Sequence, residues 1–157
     1  MVYLVVMNVE ISSEDAMKQL GEKIGSMLTG GECIELVGDI GSGKTTLTKG
    51  IAKGLGITET VQSPTFTINR TYESASGVRL SHYDFYRLSD PGIMADELRE
   101  ALDDAKTSVV IEWGDIVESV VPEGRLRISF TSPSVHGRQL EIDGSGEQAL
   151  RIMKGIA

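Results

Sequence analysis

Cysteine is almost missing from this chain: Cys33 stands alone, so no internal disulfide can form. Its place inside an apolar, strand-like run reads as a small core residue rather than a reactive thiol. Positive charge is also scarce, with 15 Lys and Arg against 23 Asp and Glu and a formal net charge of −8. Surfaces that hold polyanions gather Lys and Arg on one face, so any contact with RNA or DNA is expected to be indirect. Long apolar runs are missing too. The opening Met1-Val2-Tyr3-Leu4-Val5-Val6-Met7 is too short to span a bilayer and lacks a basic n-region and a small-residue cleavage site, which predicts a cytoplasmic protein without a membrane role. No Cys/His cluster, H-E-x-x-H or G-x-S-x-G occurs, leaving zinc and serine-hydrolase chemistry unsupported. His136, in a Ser/Pro/Gly connection, is expected to do nothing chemical. There is no internal repeat, linker or low-complexity tract. With 157 residues, 40% hydrophobic and 24% charged, the expectation is a single domain over 1–157 whose core needs neither disulfide nor metal.

What is present centres on Gly38-Asp39-Ile40-Gly41-Ser42-Gly43-Lys44-Thr45, a G-x-x-x-x-G-K-[ST] match. The apolar run Cys33–Val37 precedes it, and Leu47, Ile51 and Leu55 follow at helical spacing, the strand–loop–helix context of a phosphate-binding loop. Glycines at 38, 41 and 43 let successive N–H groups turn onto one anion, at the positive end of the following helix. Lys44 is expected at the β- and γ-phosphates of a nucleotide, and the Thr45 hydroxyl on Mg²⁺. The bound stretch is predicted as Gly38 to Thr46, with ATP and Mg²⁺ as ligands.

Along the chain, residues 2–11 predict a first strand. Ser12 and Ser13 offer an N-cap to a helix with Ala16, Met17, Leu20, Ile24, Met27 and Leu28 on one face, ending at Gly30-Gly31. A nucleotide base could also lie near this polar helix start. Helix 44–55 follows, with Gly54 and Gly56 as terminators. Pro64 imposes an extended or turn geometry before a strand from Phe66 to Tyr72; with a second strand from Val78 to Phe85 it makes an antiparallel hairpin. Alternation then puts Leu80, His82 and Asp84 on one face and Ser81, Tyr83 and Phe85 on the other. Ser89-Asp90-Pro91 signals another helix start, Thr107–Ile111 a buried strand ending in Glu112-Trp113, Arg125–Thr131 and Arg138–Asp143 two more strands, and Glu147 to the end a short helix.

Four segments are expected to meet at the carboxyl ends of the strands: the phosphate loop, Ser63-Pro64-Thr65, His82 to Arg87, and Glu112-Trp113. An apolar strand delivering a carboxylate at its end has the form of a Walker B element, so Glu112 is the second Mg²⁺ anchor beside Thr45. Asp84 is the candidate to orient the attacking water or hold the metal's outer shell, and Lys44, Asp84 and Glu112 form the catalytic set. His82 either senses the γ-phosphate or is a packed hydrogen-bonder. Arg87 either neutralises phosphate or pairs with the acidic helix after Asp90. Trp113 is read as a packing residue beside the site, with an aromatic lid over it as the alternative.

Taken in order, the loop, Ser63-Pro64-Thr65-Phe66-Thr67, His82-Tyr83-Asp84-Phe85-Tyr86-Arg87 and Ile111-Glu112-Trp113 closely resemble the TsaE (YjeE) family over almost the whole chain. The resemblance implies a three-layer, P-loop NTPase-like α/β fold with a mixed central sheet, an antiparallel hairpin and helices on both faces. It also implies an ATPase, slow alone, that acts with TsaD–TsaB in forming threonylcarbamoyladenosine in tRNAs reading codons that begin with A, with tRNA met through the complex. Thr45 and Glu112 match the family's magnesium positions, and Asp84 and Trp113 match positions regarded as important for activity. Ile40 and Ser42 replace the usual Leu and Ala, and Gly114 stands where many members have Pro; none of these touches a group given a role above.

Two other classes compete. A stand-alone small-molecule kinase would share the loop but needs an acceptor pocket and an arginine-bearing lid, for which Arg125 and Arg127, inside a strand pattern, are poor candidates. A GTPase would need N-K-x-D, which the sequence lacks. A nucleotide-gated binding module is a further alternative, in which the bound state recruits a partner.

Overall fold

In the computed structural model, which describes residues 4–64, 66–135 and 137–157, the chain builds one mixed sheet. Its strands are β1 (Val5–Ile11), β2 (Cys33–Val37), β3 (Asn69–Glu73), β4 (Arg79–Asp84), β5 (Thr107–Glu112), β6 (Leu126–Thr131) and β7 (Arg138–Gly144). The order across the sheet is β1-β7-β6-β2-β5-β4-β3. β2 is central and parallel to both β5 and β6, and β4 is parallel to β5, while β1, β7 and β3 join antiparallel. Every residue of β5 is buried, as expected of a parallel strand covered on both faces.

The helices α1 (Glu14–Ser26), α2 (Lys44–Leu55) and α4 (Glu147–Ile156) cover one face, where Ile24, Ile34, Leu36, Leu47, Ile51, Val110, Ile128 and Ile152 form the larger core. Helix α3 (Met94–Asp103) covers the other, where Tyr83, Phe85, Leu98, Val109 and Ile111 make a second cluster. Ser13 caps α1, its Oγ accepting the Ala16 N–H at 3.0 Å. α1 and α2 approach closely because glycines line the contact: a Cβ on Gly25 would overlap the Ile51 carbonyl, and one on Gly50 the Lys18 carbonyl.

Four boundaries differ from expectation for local reasons. Helix α1 stops at Ser26, with Met27 as its C-cap, before the glycine pair. Gly54 does not end α2; it sits inside the helix where a Cβ would strike the Glu22 carbonyl, and Gly56, at φ 92°, is the C-cap. The stretch after Pro64 is a turn rather than a strand: the Pro64 carbonyl accepts the N–H groups of Thr67 (3.1 Å) and Ile68 (2.5 Å), so the ladder starts at Asn69. Asp90 does not cap a helix either. Its Oδ1 takes the Gly92 N–H at 2.9 Å, and with Gly92 at φ 52° the chain turns once more before α3 begins. Val2 and Tyr3 of the expected first strand, Thr65 and His136 lie outside the described residues.

Candidate functional site

The loop 38–43 leaves the carboxyl end of β2 at the middle of the sheet and enters α2 at Gly43. Gly41 (φ 80°) and Gly43 (φ 109°) occupy left-handed conformations that residues with a Cβ rarely adopt. Gly38 has a different reason, since a Cβ there would lie 2.9 Å from both Ser42 Oγ and Phe130 Cβ. The Ser42 N–H is committed within the loop to the Asp39 carbonyl at 3.2 Å, whereas the first-turn N–H groups of α2 have no intrahelical acceptor and point their dipole into the cleft. That cleft, about 380 Å³, is lined by Lys44, Thr45, Thr46, Ser63, Asp84, Arg87, Glu112 and Trp113, together with loop backbone.

Strand register delivers the carboxylates. Asp84 and Glu112, the last residues of β4 and β5, are partners in the parallel ladder, and Glu112 is also level with Leu36 of β2. Lys44 Nζ donates to the Gly38 carbonyl at 2.6 Å, lies 3.6 Å from Glu112 Oε1 and sits 4.5 Å from the Trp113 ring centroid. His82 Nε2 is hydrogen-bonded to the second carboxylate oxygen, Oε2, at 2.6 Å. Glu112 is 3% exposed, Lys44 6% and His82 not at all, so this is a buried charge cluster at the cleft floor. Asp84 Oδ1 accepts the Tyr86 N–H at 2.9 Å, closing a turn directly after the strand. Trp113 is held at φ 56°, an unusual conformation for a bulky residue, which turns the chain after Glu112 and sets the indole against Lys44 and, with ring centroids 4.9 Å apart, against Tyr86.

Lys44, Thr45, Asp84 and Glu112 thus meet in one cleft, and Ser63 lines it as expected. His82 is placed as a packed hydrogen-bonder, fully buried and joined to the cleft through Glu112. Arg87 makes no ion pair with the acidic helix among the described residues; it lines the cleft and stacks on Phe66, its Cζ 4.4 Å from that ring's centroid. Trp113 is more than packing, being one of three groups around the lysine. Arg125 and Arg127 are bound to buried Glu35 at 2.8 and 3.2 Å. A cavity of about 530 Å³ does lie beside Arg125, at the amino ends of the strands, but it contains no part of the loop. The Cys33 thiol is pushed up to about 12 by burial, which keeps it protonated and unreactive.

A second cavity of about 450 Å³ shares Gly41, Gly43 and Thr46 with the cleft and extends past Ser12, Ser13 and Met17 to Val135 and Arg138. Sequence reasoning placed the helix start there but missed Val135 and Arg138, which come from the other end of the chain with no local signal. Among the described residues, no three His, Cys, Asp or Glu side chains form a metal cluster. The donor set of one hydroxyl, one strand-end carboxylate and an open cleft nevertheless suits a hard dication that keeps water and substrate oxygens as ligands.

A glycine loop between central strand and helix, with the carboxylate-bearing ends of two neighbouring strands beside it, defines a P-loop NTPase-like α/β protein. The chain superposes on the crystal structure of Bacillus subtilis YdiB with a TM-score of 0.79 at 28% identity, over 99% of this chain and 95% of that one. The family model for threonylcarbamoyl adenosine biosynthesis protein TsaE matches residues 11–140, and the chain belongs to the TsaE family, which serves tRNA threonylcarbamoyladenosine biosynthesis. The Streptomyces coelicolor tRNA threonylcarbamoyladenosine biosynthesis protein TsaE is 35% identical over 139 residues, 84% of this chain and 93% of its own. The Borreliella burgdorferi protein of the same name is 37% identical over 142 residues, 88% of this chain and all of its own. No helix among the described residues is long and apolar enough to cross a membrane.

Proposed function

We propose that this chain binds and hydrolyses ATP with Mg²⁺ and does so as a switch on a TsaD–TsaB pair that carries the tRNA. The observation that carries the reading is the convergence of Lys44, Thr45, Asp84 and Glu112 on the cleft at the loop and the α2 N-terminus. The loop backbone and helix end would bind the phosphates, and Lys44 would exchange its bond to the Gly38 carbonyl for phosphate oxygens. Thr45 and Glu112 would hold Mg²⁺, which supplies charge neutralisation on the transferring phosphoryl group. Asp84, level with Glu112 across the ladder, would orient water. The cavity between Ser12-Ser13 and Arg138 offers room for the nucleoside end of the ligand. A kinase reading gains no support from Arg125 and Arg127, which are tied to Glu35.

The switch follows from where the hairpin ends. The β3–β4 pair delivers Asp84, Tyr86 and Arg87 to the cleft, so contacts made to a γ-phosphate and lost after hydrolysis would change the surface these residues present. A partner that binds the ATP form better is coupled to turnover by that affinity ratio. The test is calorimetric ATP titration and turnover assay, alone and with TsaD–TsaB. Wild type should bind Mg-ATP and turn over faster with the pair, while Glu112→Gln and Asp84→Asn keep ATP binding and lose about 100-fold or more in rate. Equal rates in wild type and both variants, or a rate and affinity indifferent to TsaD–TsaB, would refute it.

A further inference from the structure

His82 stands one step behind the cleft. It is in the interior of β4, between its ladder partners Arg70 on β3 and Val110 on β5, and it is fully buried. It is not among the residues lining the cleft, so it does not touch a ligand there directly. Its one side-chain bond among the described residues, 2.6 Å from Nε2 to Glu112 Oε2, ends on the carboxylate whose other oxygen, Oε1, faces Lys44 at 3.6 Å. We propose that His82 is a positioning residue: by donating from Nε2 it fixes the rotamer of Glu112, so that Oε1 is presented to the cleft for Mg²⁺.

The proposal rests on the Mg-ATP reading above and deepens it. A glutamate at a strand end has three rotatable side-chain bonds, and Lys44 alone cannot fix it, because Lys44 must be free to move to phosphate. A donor fixed in the sheet does not move when the nucleotide enters. Burial adds a second reason, since a carboxylate removed from water needs a hydrogen bond at each oxygen. The other ring nitrogen offers no competing bond. Nδ1 is buried and has no hydrogen-bond partner among the described residues. The proton is assigned to Nε2 because an ionised carboxylate only accepts, so the atom 2.6 Å from it must carry the hydrogen.

The experiment uses the full chain, with Mn²⁺ as the metal probe. Mn²⁺ binding to the ATP complex is followed by electron paramagnetic resonance in wild type, His82→Leu and His82→Gln, and ATP binding in EDTA is measured alongside. His82→Leu should weaken Mn²⁺ binding about tenfold or more with ATP affinity in EDTA unchanged. His82→Gln, which restores a donor near the Nε2 position, should recover most of the loss. Ring ¹⁵N spectra supply an independent reading, because the sequence holds two histidines and the His82 signal is identified by its loss in His82→Gln. They should show the proton on Nε2 in the wild type. Unchanged Mn²⁺ affinity in folded His82→Leu, or a proton on Nδ1, overturns the inference and leaves the ATP reading intact. Should His82→Leu fail to fold, His82→Gln and the ring spectra decide, and a Gln variant that binds Mn²⁺ tenfold more weakly overturns it. Failure of the wild type to bind Mn²⁺ with ATP overturns both readings together.

Discussion

Removing Lys44 tests the buried charge cluster apart from any catalytic role. Measured without nucleotide or magnesium, Lys44→Ala takes away the cation 3.6 Å from Glu112 Oε1 and leaves that carboxylate, 3% exposed, with His82 as its remaining close partner. At this separation the Coulomb energy is about 4–5 kcal/mol for an effective dielectric of about 20. The net effect must be smaller, because Lys44 also bonds the Gly38 carbonyl and water reaches the cleft side. A loss of about 2–3 kcal/mol for Lys44→Ala is therefore expected, in the range for breaking a buried pair discounted for that access. In a chain of this length it appears as a fall in Tm of about 4–12 °C. Glu112→Gln, which keeps the shape and removes the charge, should cost about 1–2 kcal/mol. The double variant should lose about 1–2 kcal/mol less than the two single losses together, since its second change removes a group already lacking its partner. Urea denaturation of the four proteins, with unchanged m values, gives the cycle. Additivity within about 0.5 kcal/mol would show that Lys44 and Glu112 do not interact across this distance, and the reading of a charge-paired cleft floor would fall.

Two further outcomes test the scaffold. Gly25→Ala, whose Cβ would overlap the Ile51 carbonyl at the α1–α2 contact, should destabilise by about 2–3 kcal/mol despite alanine's better helix propensity; neutral or raised stability in urea would show that the helices can separate freely. Asp104 is held at about 2, below the usual 3.8, first by the Lys106 N–H and then by Arg79 and Thr107. A depressed carboxylate stabilises the fold above its unfolded value and loses that contribution as pH falls through the folded one. Asp104→Asn should therefore be less stable than wild type at neutral pH, with a deficit that closes between about pH 4 and pH 2; a constant deficit in acid denaturation would refute the assignment.

The bond from His82 to Glu112 gives the strand-end carboxylate a hydrogen bond where burial removes it from water. Trp113 serves the same cluster, its left-handed backbone placing an aromatic face against the ammonium at the point where β5 ends. The acidic helix start that might have claimed Arg87 instead folds Asp90 onto Gly92, leaving Arg87 to stack on Phe66 at the cleft edge. Each of these arrangements draws on residues from at least two strands or loops.

Local pattern determined a good deal. The glycine loop, with β2 before it and α2 after it from residue 44 to 55, was legible because loop sterics, an apolar strand and helical spacing are properties of neighbouring residues. The period of two in β4 put His82 and Asp84 on one face for the same reason, and β5 ended in Glu112 where its β-branched run stopped. Local competition went unseen: Pro64 gathering two N–H groups into a turn, and Asp90 closing on Gly92 instead of capping a helix, are hydrogen-bond choices that composition leaves open. Gly54 looked like a terminator because its real constraint, the Glu22 carbonyl of α1, lies on another helix. Register between strands distant in sequence was the larger gap. It decided that Asp84 stands level with Glu112, that His82 bonds Glu112, and that Arg138 and Val135 join Ser12 and Ser13 beside the loop. Such pairings depend on how whole strands stack and on which buried polar groups can satisfy one another, and those terms exist only once the sheet has closed.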